Sequence, residues 1–113
     1  MDERWAVSLD EAEAGLPAEG TRFARAIRHG SLLVGLYAPR GSDPQEPHQQ
    51  DEVYLVQRGQ GTFVRGAERV PFQAGAALFV RAGEAHCFED FSDDLAVWVV
   101  FYGPTGGEAA AQH

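Results

Sequence analysis

Two histidines and a glutamate in the middle of the chain have the side chains and the spacing that a divalent metal ion requires. His48 and Glu52 are four residues apart, an even offset that turns both side chains to the same face of an unbulged strand. His86 lies in a later segment that antiparallel pairing could bring beside them. Because imidazole nitrogens and carboxylate oxygens are ligands of Fe(II), Mn(II), Ni(II) and Zn(II), the pattern predicts a site for one of these ions.

Further polar residues around this pair could complete the ligand set or act on a bound molecule. Gln50 lies between the first two ligands, and Gln45 and Glu46 come just before them. The spacing leaves open which of these three supplies a fourth ligand. Tyr54 falls on the same strand face as Glu52, so its phenol could position a substrate or transfer a proton.

Short strands, rather than helices, must position these residues. Glycine and proline are spread along the chain and divide it into short apolar segments, with a turn about every 8–12 residues. This pattern is typical of an all-β barrel or sandwich, and a chain of 113 residues suffices for one antiparallel barrel of the jelly-roll type. The predicted strands cover residues 21–29, 31–38, 53–57, 62–65, 70–72, 76–80, 85–91 and 95–102.

One helical signal precedes the strands. Residues 8–14 begin with Ser8 at an N-cap position and have Glu11 three residues later, which is the spacing of a capping box. Gly15 and Pro17 end this segment after about one turn. The chain is therefore expected to consist of an N-terminal extension with a short helix over 1–20, a β-barrel over 21–103 and a flexible tail over 104–113.

The charge balance excludes several classes of function. The chain has nine arginines, no lysine and 17 acidic residues, which gives a net charge of −8. A chain without lysine cannot use a Schiff-base lysine or a P-loop lysine. Nucleic acids and anionic membranes are not expected as partners, because binding phosphate requires clustered cations. We expect a small-molecule ligand instead.

The sequence also predicts the compartment and the oligomeric state. It has one cysteine, Cys87, which excludes an internal disulfide, and its first residues are acidic rather than apolar, unlike a signal peptide. The apolar run at 95–100 is far shorter than the ~20 residues that span a bilayer. We therefore expect a cytoplasmic protein. Because this run has large side chains on both strand faces, a second sheet or a second subunit must cover one face, and we expect a homodimer.

Two segments of the chain share a spacing that points to a known family. In the first, His48 is followed by three residues, Glu52, six residues and Gly59. The second segment opens with Gly75. Gly83 comes eight residues later and is followed by two residues and His86. In this order the two segments resemble the two motifs of the cupin superfamily.

Three positions depart from the cupin motifs. Glu46 stands where the first histidine of the His-x-His pair belongs, Arg81 replaces a proline and Asp90 replaces an asparagine. Cupins with a complete set commonly hold their metal through three histidines and one glutamate. The resemblance gives this chain two histidines and one glutamate, which leaves coordination positions open as in a catalytic metal site.

The resemblance implies a minimal, single-domain bacterial cupin without an assigned reaction. It implies that His48, Glu52 and His86 hold a divalent metal ion. Such an ion could act on a small organic molecule in a dioxygenase-like or isomerase-like reaction. Because the same barrel also serves as a binding module, the fold does not choose among functions. A non-enzymatic module for a metabolite or a metal, and a structural dimer with a vestigial pocket, are the alternatives.

Overall fold

A computed structural model describes residues 4–109 and shows one helix followed by eight strands. Each strand overlaps one of the eight predicted segments, so the predicted all-β fold with a short N-terminal helix is confirmed. The elements are α1 (Leu9–Ala14), β1 (Phe23–His29), β2 (Leu32–Tyr37), β3 (Asp51–Arg58), β4 (Gln60–Arg65), β5 (Glu68–Gln73), β6 (Ala77–Val80), β7 (His86–Glu89) and β8 (Ala96–Tyr102).

The helix α1 begins with the capping box that the sequence predicts. The backbone N–H of Glu11 donates to the Ser8 hydroxyl, and the backbone N–H of Ser8 donates to the Glu11 carboxylate, both at 3.1 Å. Gly15 forms the C-cap and Pro17 follows it, so the helix ends after six residues. The local sequence therefore defines both ends of α1.

The strands form two antiparallel sheets. The larger sheet has five strands in the order β1-β2-β8-β3-β6, and the smaller has three in the order β5-β4-β7. The most apolar strand, β8, lies at the centre of the larger sheet between β2 and β3. Within residues 4–109 no ladder joins the two sheets, so they form an open jelly roll rather than a closed barrel.

The core lies between the two sheets. The register places Tyr54 of β3 between Val99 of β8 and Leu78 of β6, with all three side chains directed inward. Aromatic rings from both sheets meet there, because Tyr54 packs edge-on against Phe63 and Phe88 at centroid distances of 5.6 and 5.0 Å. The buried cluster consists of Tyr54, Val56, Phe63, Phe72, Val80, Phe88, Leu95, Val97 and Val99.

The outer face of β8 is covered in part by the chain's own helix. Ala12 of α1 packs against Leu36 and Ala96, which are both completely buried. An ion pair of 2.6 Å between Glu13 and Arg58 attaches the helix to the end of β3. The helix thus covers part of the face of β8 for which a second sheet or a second subunit was expected.

One glycine determines how closely an aromatic ring packs across the larger sheet. A Cβ atom at Gly35 of β2 would lie 2.3 Å from the ring of Phe23 in β1, far inside van der Waals contact. Only glycine therefore lets this ring cross β2. Phe23 in turn packs edge-on against Phe101, with ring centroids 6.5 Å apart. These two rings form part of the cavity wall described below.

The segment after β8 is attached to the start of β3. The backbone N–H of Gly106 donates to the carbonyl of Gln49 at 2.7 Å, and the backbone N–H of Glu108 donates to the Asp51 carboxylate at 2.8 Å. This hydrogen bond from the backbone N–H of Glu108, together with one from the backbone N–H of Ala82, lowers the pKa of the Asp51 carboxyl. Residues 110–113 of the expected flexible tail lie outside the described residues. Within residues 4–109, no helix has the length and apolarity to cross a membrane.

Candidate metal centre

Both sheets contribute to a polar cluster in the otherwise apolar space between them. Glu52 points inward from β3, His86 points inward from the first position of β7, and His48 lies three residues before β3. One potential ligand atom from each of these residues lies within 4.8 Å of the others. The fold thus brings together the three residues that the motif spacing assigns to a metal ion.

The carboxylate of Glu52 is buried. Its side chain is 1% exposed, and neither carboxylate oxygen accepts a hydrogen bond of good geometry from the described residues. Oε1 lies 3.0 Å from Nε2 of His86 and 3.9 Å from Nε2 of His48. Moving a carboxylate out of water is costly unless a cation or several donors replace the water. This arrangement therefore requires positive charge beside Glu52.

The ring of His86 is oriented so that Nε2 faces the cluster. Its Nδ1 lies 2.9 Å from the carbonyl oxygen of Glu84, which can only accept, so Nδ1 carries the proton. In a neutral ring Nε2 then carries a lone pair that can accept from the Tyr54 hydroxyl at 3.1 Å, and Oε1 of Glu52 lies 3.0 Å from the same nitrogen. Burial disfavours protonation of His86, but the Glu52 carboxylate and the Glu84 carbonyl outweigh it and raise the pKa.

Tyr54 adds a phenol that stays protonated at neutral pH. Its hydroxyl lies 3.1 Å from Nε2 of His86 and 3.2 Å from Oε1 of Gln45. Burial and then the negative charge of Glu52 raise the pKa of Tyr54 far above its ordinary value, because both disfavour the phenolate. The hydroxyl can therefore donate its proton to one of these two acceptors or to a bound molecule.

Gln45, in the loop before β3, completes a ring of polar atoms around the site. Its Oε1 lies 3.1 Å from Nε2 of His48 and 3.2 Å from the Tyr54 hydroxyl. Its amide nitrogen donates to the buried carboxylate of Asp43 at 2.7 Å, which turns the amide oxygen toward the cluster. Asp43 also accepts from the backbone N–H of Phe88 at 2.7 Å and so ties the loop to β7.

The other two residues considered as fourth ligands lie elsewhere. The amide nitrogen of Gln50 donates to the carbonyl oxygens of Ser31 and Gly103, each at 2.9 Å. These bonds hold Gln50 against the ends of β2 and β8 rather than beside the three predicted ligands. Glu46 is exposed and lies at the rim of the cavity beside the site. Gln45, rather than Gln50, is therefore the amide in contact with the cluster.

A cavity of about 910 Å³ leads to this cluster. Gln45, His48 and Tyr54 line its inner end, and the His48 ring packs edge-on against Phe101 at a centroid distance of 5.1 Å. A volume of this order accommodates a small organic molecule. The apolar wall includes Phe23, Tyr37, Val99 and Phe101, and the charged rim consists of Glu19, Arg22, Arg40 and Glu46.

The family model of the cupin domain matches residues 33–102 of the chain. This range includes Glu52 of the larger sheet and His86 of the smaller sheet. The chain belongs to the cupin family. An uncharacterized protein of Streptomyces coelicolor is 41% identical to this cupin over 101 residues, which cover 88% of this chain and 96% of that protein.

Solved structures share the fold of this cupin. A Cupin 2 conserved barrel domain protein from Salinispora arenicola covers 90% of this chain and 91% of its own, with a TM-score of 0.68 and 19% identity. The FeII form of HppE covers 71% of this chain and 48% of its own, with a TM-score of 0.57 and 17% identity. These likenesses confirm the predicted cupin-type jelly roll.

The donor atoms of this cupin fit a divalent metal ion. Two imidazole nitrogens and one carboxylate are a common set for Fe(II) and related ions. At metal–ligand distances of about 2.1 Å, neighbouring ligand atoms lie about 3.0 Å apart at a right angle. The 3.0 Å between Nε2 of His86 and Oε1 of Glu52 has this value. A cation would also offset the buried charge of Glu52.

Sequence reasoning missed Asp43, which orients Gln45, and Arg22, which lies at the cavity rim. Asp43 stands in a polar loop beside a proline, and such an aspartate is typical of a turn. Its role depends on Phe88, 45 residues later in the chain. Arg22 donates to the carbonyls of Pro17 and Ala38, contacts that no local pattern encodes. Only the three-dimensional structure identifies these two residues.

Proposed function

We propose that this cupin binds a divalent metal ion through His48, Glu52 and His86, and that it binds and acts on a small organic molecule in the adjoining cavity. The observation that carries the proposal is the buried carboxylate of Glu52. It accepts no hydrogen bond of good geometry from residues 4–109, and one of its oxygens lies 3.0 Å from Nε2 of His86. A metal ion held by both groups would offset the charge of the buried carboxylate.

The residues around the proposed ion have separate tasks. The Glu84 carbonyl keeps the His86 proton on Nδ1, which leaves Nε2 free to ligate. The Tyr54 phenol lies at the inner end of the cavity, where it can donate a hydrogen bond or a proton to a bound molecule. The rings of Phe23 and Phe101 make part of the wall apolar and limit water around the reacting groups.

A bound ion would supply Lewis-acid chemistry or a binding position for an oxygen atom of the substrate, as dioxygenase-like and isomerase-like reactions require. HppE, which shares this fold, has been solved in an FeII form, and this supports metal binding on the same scaffold. We propose that this cupin holds a divalent metal ion, acts on a small organic molecule in a dioxygenase-like or isomerase-like reaction, and is located in the cytoplasm.

The charge of Glu52 gives the sharpest test. In Glu52→Gln we expect metal affinity to fall at least about 100-fold, because the variant keeps the shape of the ligand and loses its charge. With metal present the variant should melt lower than the wild type. In chelator it should melt no lower, because a buried unpaired charge is gone. Fe(II), Mn(II), Ni(II) and Zn(II) are titrated in turn into protein purified without a chelating tag, with a chromophoric chelator as competitor.

Glu46→Gln is the matched control, because it removes the same charge from an exposed residue of the neighbouring loop. It should bind metal and melt as the wild type does. A Glu52→Gln protein that binds metal as before, and melts no lower with metal, would show that Glu52 is not a ligand. Metal-loaded wild type that binds metabolites without converting them, in an oxygen-uptake and product screen, would assign the binding-module alternative.

We also propose that two copies of this cupin associate through the uncovered part of the larger sheet. Beyond the helix, Leu55 and Phe79 are 38% and 41% exposed on the outer face of that sheet. Val53 lies between Phe79 and Val100 in the register of β6, β3 and β8, so the apolar side chains are continuous. We call Val53, Leu55, Phe79 and Val100 the outer patch. Contiguous exposed apolar surface of this kind is typical of an interface between subunits.

A further inference from the structure

We infer that the amide oxygen of Gln45 is a fourth protein ligand of the metal ion, in the role that the first histidine of the His-x-His pair has in other cupins. The inference rests on the proposed function, and the test below separates the two. Glu46 occupies that histidine's place in the sequence, but its side chain is at the cavity rim. The preceding residue in the chain is the one whose oxygen contacts the cluster.

The distances around the ring of polar atoms place the Gln45 oxygen beside one proposed ligand, His48. Its Oε1 is 3.1 Å from Nε2 of His48, and Oε1 of Glu52 is 3.0 Å from Nε2 of His86. Ligand atoms bound at about 2.1 Å lie about 3.0 Å apart at a right angle and about 3.4 Å apart at the tetrahedral angle. Both pairs therefore have the separation of adjacent ligands on one ion.

The orientation of the amide is held by groups outside the ring. The amide nitrogen of Gln45 donates to Asp43 at 2.7 Å, so the oxygen is the atom that faces His48 and Tyr54. Asp43 is 8% exposed and is itself fixed by the backbone N–H of Phe88. A carboxylate that orients a ligand from behind in this way is the usual partner of metal-binding side chains.

The same oxygen has a role before metal binds. It can accept a hydrogen bond from the His48 ring when Nε2 carries the proton, and one from the Tyr54 hydroxyl. To hold an ion through Nε2, the neutral His48 ring would carry its one proton on Nδ1. The Gln45 oxygen, which the bond from its amide nitrogen to Asp43 directs toward His48, would then be available to the same ion. A neutral oxygen ligand adds no charge to the carboxylate already present at Glu52.

The test compares amide variants in and outside the ring, with Co(II) as the metal probe. Gln45→Asn withdraws the oxygen by one methylene, and Gln45→Leu keeps the size and removes the oxygen. We expect each to weaken Co(II) binding at least about tenfold and to change the visible absorption of the bound Co(II), because one oxygen ligand is lost. Gln50→Asn makes the same chemical change where the amide contacts only main-chain carbonyls among the described residues, and should leave both readouts unchanged.

Thermal melting in chelator shows whether each variant still folds, so that a loss of binding is not a loss of structure. If both Gln45 variants bind Co(II) as Gln50→Asn does, with the wild-type spectrum, the inference is wrong and Gln45 only supports the loop. Glu52→Gln distinguishes a failure of the Gln45 ligand from a failure of the whole site. If Glu52→Gln loses Co(II) binding and the Gln45 variants do not, only the Gln45 ligand is wrong. If Glu52→Gln binds Co(II) as the wild type does, the proposed site as a whole is wrong.

Discussion

At the scale of single residues, the position of Glu52 governs the chemistry of the site. Burial and then the Glu52 carboxylate raise the pKa of Tyr54, and at His86 burial opposes protonation but the carboxylate outweighs it and raises the pKa. A metal ion in the proposed site would compete with these protons for the same negative charge. The free energy that burial of Glu52 costs the metal-free protein would then strengthen metal binding.

Tyr54→Phe tests whether the phenol is a positioning group rather than a ligand. The variant removes the hydroxyl that contacts His86 and Gln45, and we expect it to destabilise the metal-free protein by about 1–2 kcal/mol. Metal affinity should change less than about threefold, because no ligand atom is lost, while any turnover should fall by about 100-fold or more. Urea unfolding and chelator competition measure the two effects. A loss of affinity as large as that of Glu52→Gln would instead make the phenol oxygen a ligand.

The sequence indicated which residues form the polar cluster better than it indicated the contacts around them. His48, Glu52 and His86 could be predicted because a strand fixes which side chains share a face, and the motif spacing fixes the rest. The contact of Gln45 with this cluster could not, because Gln45 and Gln50 lie on either side of His48 and nothing local distinguishes them. Their contacts depend on Asp43 and on the ends of β2 and β8, which the local sequence does not place.

At the scale of elements, the strands were predictable and their grouping was not. Glycine or proline lies within three residues of the end of every strand but β7, so the eight segments agree with the structure to within a few residues. The division into sheets of five and three strands depends on pairings such as β2 with β8, which join residues far apart in the chain. The helix was predictable from its cap, whereas its packing over Leu36 and Ala96 was not.

The ion pair between α1 and β3 gives the protein a pH-dependent contact. The Arg58 guanidinium lowers the pKa of Glu13, so the pair stabilises the fold above the unfolded-state pKa of about 4.3 and this contribution is lost as the pH falls through the lowered value. Both side chains are about a third exposed or more, which limits the contribution to about 0.2–1 kcal/mol. Urea unfolding at pH 7 and at pH 3 should show a smaller acid-induced loss in Glu13→Gln than in wild type.

Glu19→Gln is the control for this pH effect, because Glu19 is an exposed acid before β1. It should lose as much stability on acidification as the wild type. The difference between Glu13→Gln and the wild type should also shrink in high salt, since salt screens partly exposed pairs. Equal acid-induced losses in Glu13→Gln and wild type at low salt would show that the pair does not hold the helix.

At the scale of the whole molecule, residues 4–109 cover the outer face of the larger sheet mainly at the end where α1 packs. The helix buries Leu36 and Ala96, while the outer patch of Val53, Leu55, Phe79 and Val100 remains partly or largely exposed. The cavity and the polar cluster lie on the opposite, inner face of the same sheet. Association through the outer patch would therefore leave the site accessible to its ligand.

Phe79→Glu tests this association. A charge within an apolar interface is costly to bury, so we expect the wild type to sediment as a dimer at micromolar concentration and the variant as a monomer. Val70→Glu is the matched control, because Val70 is 45% exposed on β5 of the smaller sheet, away from the outer patch. It should remain dimeric.

Because Phe79 is exposed in the single chain, both variants should keep the far-ultraviolet spectrum and the metal affinity of the wild type. A wild type that sediments as a monomer at this concentration would refute the proposed dimer, and an unchanged dimer in Phe79→Glu would place the interface elsewhere.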